Sequence, residues 1–184
     1  PPSERQPLLT RVLNGEDFSS AYNVEAPLTP LNQFLAKNYP PYTNSIPDLV
    51  RAQIFKKDVE RWEREGKMPN FVIAQLPCDH TFGTRPGTQT PAAMVADNDW
   101  ALGQMGEALS KPKFWSKMLI LIVEDDAQNG VDHVDGHRTV ALAVGPHVKR
   151  GHVDSTFYSQ PSMLKTIELI FGLPNLSLFD LIAN

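Results

Sequence analysis

The stretch Met118-Leu119-Ile120-Leu121-Ile122-Val123-Glu124-Asp125-Asp126 carries the decisive signal for the fold. A short unbroken apolar run reads as a strand buried on both faces, the kind that lines a parallel sheet. It stops abruptly in adjacent acids. In open α/β sheets, ligands bind outside the carboxyl ends of the strands. Neighbouring carboxylates there repel one another, and a divalent cation is a common way to offset that repulsion. The plainer alternative is an acidic, solvated turn. Asp132, His133, Asp135 and His137 follow shortly afterwards. Their imidazoles offer neutral metal ligands or cationic partners for an anionic substrate.

The bulk properties narrow the function classes. A length of 184 residues suits one domain with a sizeable core. The formal net charge of −4, with no basic stripe, argues against a nucleic-acid scaffold. Cys78 is the single cysteine, so an internal disulfide is excluded and the redox compartment stays open. No apolar run approaches the roughly 18 residues of a membrane span. The opening PPSERQ has neither Met nor a signal-like apolar segment, and reads as a processed product or an excised piece.

Outward from the acidic run, strands and helices alternate. Thr139–Val144 is a further apolar strand, closed by Gly145-Pro146. Ser162–Phe171 has helical spacing and stops at Gly172 and Pro174. On the amino-terminal side, a helix is expected from about Ala92 to Ser110. Val95, Leu102, Met105 and Leu109 form its buried side, Trp100 lies near the rim, and Pro112 stops it. Before it, Phe71–Leu76 reads as a strand running into Cys78-Asp79-His80-Thr81. An earlier helix starts near Ile46-Pro47 and ends at Gly66, with Leu49, Val50, Ile54, Val59 and Trp62 on one face. Residues 1–45, broken by Pro27, Pro30, Pro40 and Pro41, read as an irregular wrapping arm, with short amphipathic pieces at Leu8–Leu13 and Leu31–Ala36. Residues 46–184 then form the α/β part. Strands alternating with helices predict right-handed crossovers and a mostly parallel sheet flanked by helices.

A sheet of that kind brings two polar strand ends to one edge: Asp79-His80 and Glu124-Asp125-Asp126. Taken alone, Asp79 also fits a turn cap and His80 a surface side chain. His133 and His137 are four residues apart, but Gly130 and Gly136 favour a loop over a helix. They are candidate metal ligands, phosphate donors or a general acid, or else solvated loop residues. Arg138 can grip a phosphate with paired donors, or neutralise nearby acids. His147 and His152 sit among Lys149 and Arg150 and read as surface residues. Cys78 is a poor nucleophile candidate, because the neighbouring carboxylate disfavours its thiolate. Gly-rich phosphate loops, nucleophile elbows and zinc-protease helices are absent.

In this order the motifs resemble the carboxyl-terminal half of bacterial phosphoesterases of the acid phosphatase and phospholipase C type, within the alkaline-phosphatase-like superfamily. The residues that carry the resemblance are LPCDHT (Leu76–Thr81), VEDD (Val123–Asp126), DHV (Asp132–Val134), HRT (His137–Thr139), AVGP (Ala143–Pro146) and SMLKTIELIFGLP (Ser162–Pro174). The resemblance covers roughly Asn70 to Leu176. It implies that Asp125 and Asp126 ligate a divalent metal ion, its identity open, with Glu124 as a third ligand. It implies that His80, His133 and His137 face the phosphate or the leaving group, and that Asp79 and Arg138 assist in substrate binding. It also implies a Ser or Thr nucleophile, a phosphate-ester substrate and a periplasmic or secreted location.

The departure is at the front. The family's opening metal-binding segment, an acid and an amide after an early strand, has no counterpart in Pro1–Pro69. Ser19, Ser20, Thr43 and Ser45 occupy no convincing strand-to-helix turn; Thr43 is the best of them. The expectation is therefore an incomplete alkaline-phosphatase-like α/β fold, inactive alone, whose exposed sheet edge favours self-association. Two alternatives stand beside it. One is a complete small metal-dependent hydrolase that activates water. The other is a binding module that keeps the fold without the chemistry.

Overall fold

The computed structural model describes residues 2–17, 22–111, 113–127 and 138–184. They divide into two compact units, Pro1–Trp115 and Ser116–Asn184.

The first unit is helical: α1 (Pro2–Leu13), α2 (Asp48–Glu65) and α3 (Pro91–Ser110). Leu49, Val50, Ile54, Phe55, Val59 and Trp62 make one buried stripe of α2, while Glu60, Arg61, Glu63, Arg64 and Glu65 stay exposed. Pro47 sits immediately before the helix at φ −56°, where its missing N–H costs nothing. The helix ends because Gly66 adopts φ +70°, a left-handed conformation that only glycine enters cheaply. The Lys67 amide then donates back to the Trp62 carbonyl at 3.1 Å. The Phe55 and Trp62 rings meet edge to face at 6.0 Å.

Helix α3 packs against α2 through Met94, Ala101, Met105 and Leu109. The Thr90 hydroxyl caps α3 by accepting from the Ala93 amide at 3.3 Å, and Pro91 opens its first turn. Val95, expected on the buried side, is 47% exposed. The stripe is set by Met94 instead, one residue earlier. Pro112, the expected stop, lies outside the described residues. Helix α1, in the segment read as irregular, closes a small core in which Val12 meets Val50 and Ile54, flanked by Leu8, Leu9, Tyr39 and Ile46.

The strand expected over Phe71–Leu76 is a correction: the backbone there joins no ladder among the described residues, and Ile73 is 85% exposed. Side chains take some of its carbonyls instead. The Tyr39 hydroxyl donates to the Gln75 carbonyl at 2.9 Å, and Asn98 Nδ2 donates to the Leu76 carbonyl at 2.8 Å. Local β-propensity cannot make a strand without a neighbour to pair with.

Burial gives this unit an alkaline limit. The Tyr22 hydroxyl donates to the Asn38 carbonyl at 2.6 Å, and loss of solvent pushes its pKa up to about 12. Burial pushes the Tyr39 phenol up as well. Both folded values lie above the ordinary phenol value of about 10. Their stabilisation is therefore complete below about pH 10 and is lost as the pH rises through the folded values. Thermal unfolding followed against pH should show stability falling above about pH 10, and Tyr39→Phe should flatten that fall. A profile that stays level through the phenolic range would contradict the assignment.

In the second unit, β1 (Ile120–Val123) pairs with β2 (Ala141–Val144) in antiparallel register, Ile120 opposite Val144 and Val123 opposite Ala141. The Glu124 amide extends the ladder to the Val140 carbonyl at 3.1 Å. The mostly parallel sheet is thus corrected to a two-stranded antiparallel pair among the described residues. Apolar runs look the same in either direction of pairing, so periodicity could not tell the two apart. Beyond β2 the chain turns back closely: a Cβ on Gly145 would meet the Met118 carbonyl oxygen at 2.7 Å, so only glycine fits.

Helix α4 (Gln160–Phe171) opens on a capping box in which the Ser159 amide donates to Ser162 Oγ at 3.0 Å. A short α5 (Leu178–Ile182), not anticipated from the sequence, packs on α4. Ser177 and Asp180 secure its start, Asp180 accepting from the Leu176 amide at 2.7 Å. Lys165 closes its end by donating to the carbonyls of Leu181 and Ala183, at 3.0 and 2.7 Å.

Candidate functional site

Asp48 and Arg51, one turn apart at the start of α2, are both fully buried and meet at 3.0 Å. The Arg51 guanidinium also donates to the carbonyls of Ile46, Pro41 and Thr43, which pins the loop before α2. The other Asp48 oxygen accepts from the Cys78 amide at 2.8 Å and from Asn98 Nδ2 at 3.1 Å. Loss of solvent pushes the Asp48 carboxyl up; the Cys78 amide, Arg51 and Asn98 pull it back down. This brace fixes where the Asp79-His80 turn begins.

Cys78–His80 form a single tight helical turn. Asp79 Oδ1 accepts from the His80 amide at 3.0 Å, a contact between neighbouring residues; Pro77 holds the turn's N-cap position, with no side-chain cap. His80 is exposed, and the Tyr42 ring meets it edge-on at 6.1 Å. Thr81 follows at φ +58°, ψ −179°. Its hydroxyl accepts from the Gly83 amide at 3.0 Å and its carbonyl accepts from Asn44 Nδ2 at 2.7 Å.

Potential ligand atoms of Asp48, Cys78 and Asp97 lie within 4.8 Å of one another and form a candidate metal-ligand group. No sequence spacing announces it, because its members come from α2, the Cys78 turn and α3. Its chemistry is that of a brace. Arg51 already supplies the positive charge, Cys78 Sγ lies 3.3 Å from the Ile46 carbonyl, and Asp97 accepts from the Asp48 amide at 2.7 Å.

In the second unit, Glu124, Asp125 and Asp126 are exposed directly beyond β1. Asp125 Oδ1 accepts from the Asp126 amide at 3.0 Å, a contact between neighbouring residues. Gln160 Nε2 donates to the Asp125 carbonyl at 2.6 Å and ties the tip to the first turn of α4. Arg138 is exposed just before β2, two residues from the Val140 carbonyl that holds Glu124. Carboxylate oxygens suit hard divalent cations, but among the described residues the three potential ligands that come within 4.8 Å of one another are those of Asp48, Cys78 and Asp97, not of this acidic run.

His133 and His137, with Asp132 and Asp135, lie outside the described residues, as do Ser19 and Ser20. Asp79 and His80 belong to the first unit, and Glu124, Asp125, Asp126 and Arg138 to the second. Thr43 Oγ1 accepts from the Ser45 amide at 3.2 Å, a local turn contact.

A family model described as "Phosphoesterase family" matches residues 14–174. No curated protein and no solved structure matches the chain.

Proposed function

The chain belongs to the phosphoesterase family, and we propose that it carries part of the site of a metal-dependent enzyme that hydrolyses phosphate esters. The family match over residues 14–174 is the observation that carries this reading. The exposed carboxylates beyond β1 support it: Asp125 and Asp126, with Glu124, would hold a divalent cation. Such a cation supplies Lewis-acid screening of the phosphoryl charge. Arg138 would donate paired hydrogen bonds to phosphate oxygens. His80, His133 and His137 would face the phosphoryl or leaving group, where an imidazole can move a proton, and Asp79 would assist in substrate binding.

In this reading the complete fold is alkaline-phosphatase-like and bacterial, and further strands cover what these units leave open. The exposure of β2 along its whole length and of Ile73 supports that, and a second copy pairing on the same edge is the self-associated form. Calorimetry with Zn²⁺, Mn²⁺ and Ca²⁺, run beside a phosphatase assay with p-nitrophenyl phosphate, tests the proposal. Cation binding with little or no turnover is expected from this chain. The absence of binding by any of the cations would remove the metal reading. Metal-dependent turnover would instead identify a complete small hydrolase.

A further inference from the structure

The Thr81 carbonyl stands between two side chains. It accepts from Asn44 Nδ2 at 2.7 Å and lies 3.5 Å from His80 Nδ1. A carbonyl can only accept, so this contact is favourable when His80 carries its proton on Nδ1, which makes Nε2 the lone-pair nitrogen. The tautomer of a histidine is set in this way by what its other nitrogen faces.

Holding the carbonyl there is costly. Thr81 is the single non-glycine residue at positive φ among the described residues, and with ψ near 180° it lies in a region that glycine alone occupies comfortably. Asn44 is buried to 9% exposure, and its Oδ1 has no hydrogen-bond partner among the described residues. Donation by Nδ2 to a carbonyl fixes the amide orientation, so rotating the side chain would not relieve that oxygen without losing the Thr81 contact. Two local penalties therefore converge on one carbonyl. Strain of this kind persists only where the surroundings over-determine it, and it gathers at functional sites. The surroundings here are the Asp48 bond to the Cys78 amide on one side and the Tyr42 ring against His80 on the other.

We propose that Asn44 is a positioning residue: through the strained Thr81 carbonyl it holds the His80 imidazole in the Nδ1-protonated tautomer, with Nε2 as its basic nitrogen. This deepens the reading of His80 as a phosphate-facing group and rests on that reading for its use. The tautomer itself is measured without substrate. ¹⁵N ring shifts of the neutral His80 imidazole in the full chain should report the Nδ1–H form as the major species. Asn44→Ala should lower the Nδ1–H to Nε2–H ratio several-fold, toward the Nε2–H form preferred by free histidine. Thr81→Gly should keep the ratio while melting no lower than the parent chain, because glycine holds the same backbone angles without strain. If Asn44→Ala fails to fold, judged by its circular dichroism, Asn44→Asp, which keeps the size and loses the Nδ2 donor, takes its place. A wild-type ring in the Nε2–H form, or a folded Asn44 variant that keeps the wild-type ratio, overturns the assignment. Titration with inorganic phosphate separates the two ideas. A His80 ring unmoved by phosphate would remove the phosphate-facing reading and leave the tautomer result standing.

Discussion

Arg51→Ala is expected to destabilise the first unit by about 3–5 kcal/mol, the usual cost of breaking a buried ion pair from one side. The reason is what the substitution leaves behind. Asp48 is fully buried, and without the guanidinium its carboxylate keeps only the Cys78 amide, Asn98 and whatever proton it can recruit. The carbonyls of Ile46, Pro41 and Thr43 lose their shared donor in the same step. The change is distinct from losing a surface pair. Arg61 and Asp58 also approach to 2.8 Å, but Arg61 is open to solvent, and Arg61→Ala should cost no more than about 1 kcal/mol. Urea unfolding of the two variants side by side measures the contrast. Replacing both members of the buried pair with apolar residues of similar volume should recover only part of the loss: the orphaned charge is gone, but the Cys78 amide and the three carbonyls still lose these partners. Equal, small effects for Arg51→Ala and Arg61→Ala would show that the brace is not what holds the turn.

Asp125→Asn combined with Asp126→Asn should weaken divalent cation binding by about a hundredfold, or about tenfold for each carboxylate removed. Asparagine keeps the size and an oxygen ligand but removes the charge, so the loss reports electrostatics rather than packing. Both side chains are exposed, and the fold around them should survive: the Glu124 amide to Val140 bond and the Gln160 contact use backbone atoms of the tip. Calorimetry of the single and double variants gives the comparison, and circular dichroism checks the fold. An affinity unchanged in the double variant would place the cation elsewhere. The Asp48, Cys78 and Asp97 group is the other place to look, and Asp97→Asn would then be the variant that loses binding.

Much of the architecture was legible along the chain. The 3.6-residue spacing of Leu49, Val50, Ile54, Val59 and Trp62, closed by Gly66, located α2 to within two residues at its start and one at its end. The apolar spacing from about Ala92 to Ser110 located α3 to within one residue, although Val95 in place of Met94 put the buried stripe one residue out of register, and the Thr90 cap was not anticipated. The jump from Val123 into Glu124 marked the end of β1. The misses have a common physical cause. Phe71–Leu76 has a strand's composition, yet it joins no ladder among the described residues. Helix α1 is held by Val12 against Val50 and Ile54, and α5 by Lys165 reaching its last carbonyls; both are short pieces that depend on what they dock against.

Local chemistry therefore settled by itself where the long helices begin and end, where the acids gather, and the family to which the chain belongs. Those properties follow from side-chain periodicity, capping and residue order, which need no partner far along the chain. The tertiary structure alone decided that β1 and β2 run antiparallel, that Arg51 and Asp48 close over the Cys78 amide, and that Asn44 reaches the Thr81 carbonyl. Each of these joins groups brought together by folding, and the low-dielectric interior that gives a buried charge or a fixed carbonyl its leverage exists only once the chain has packed.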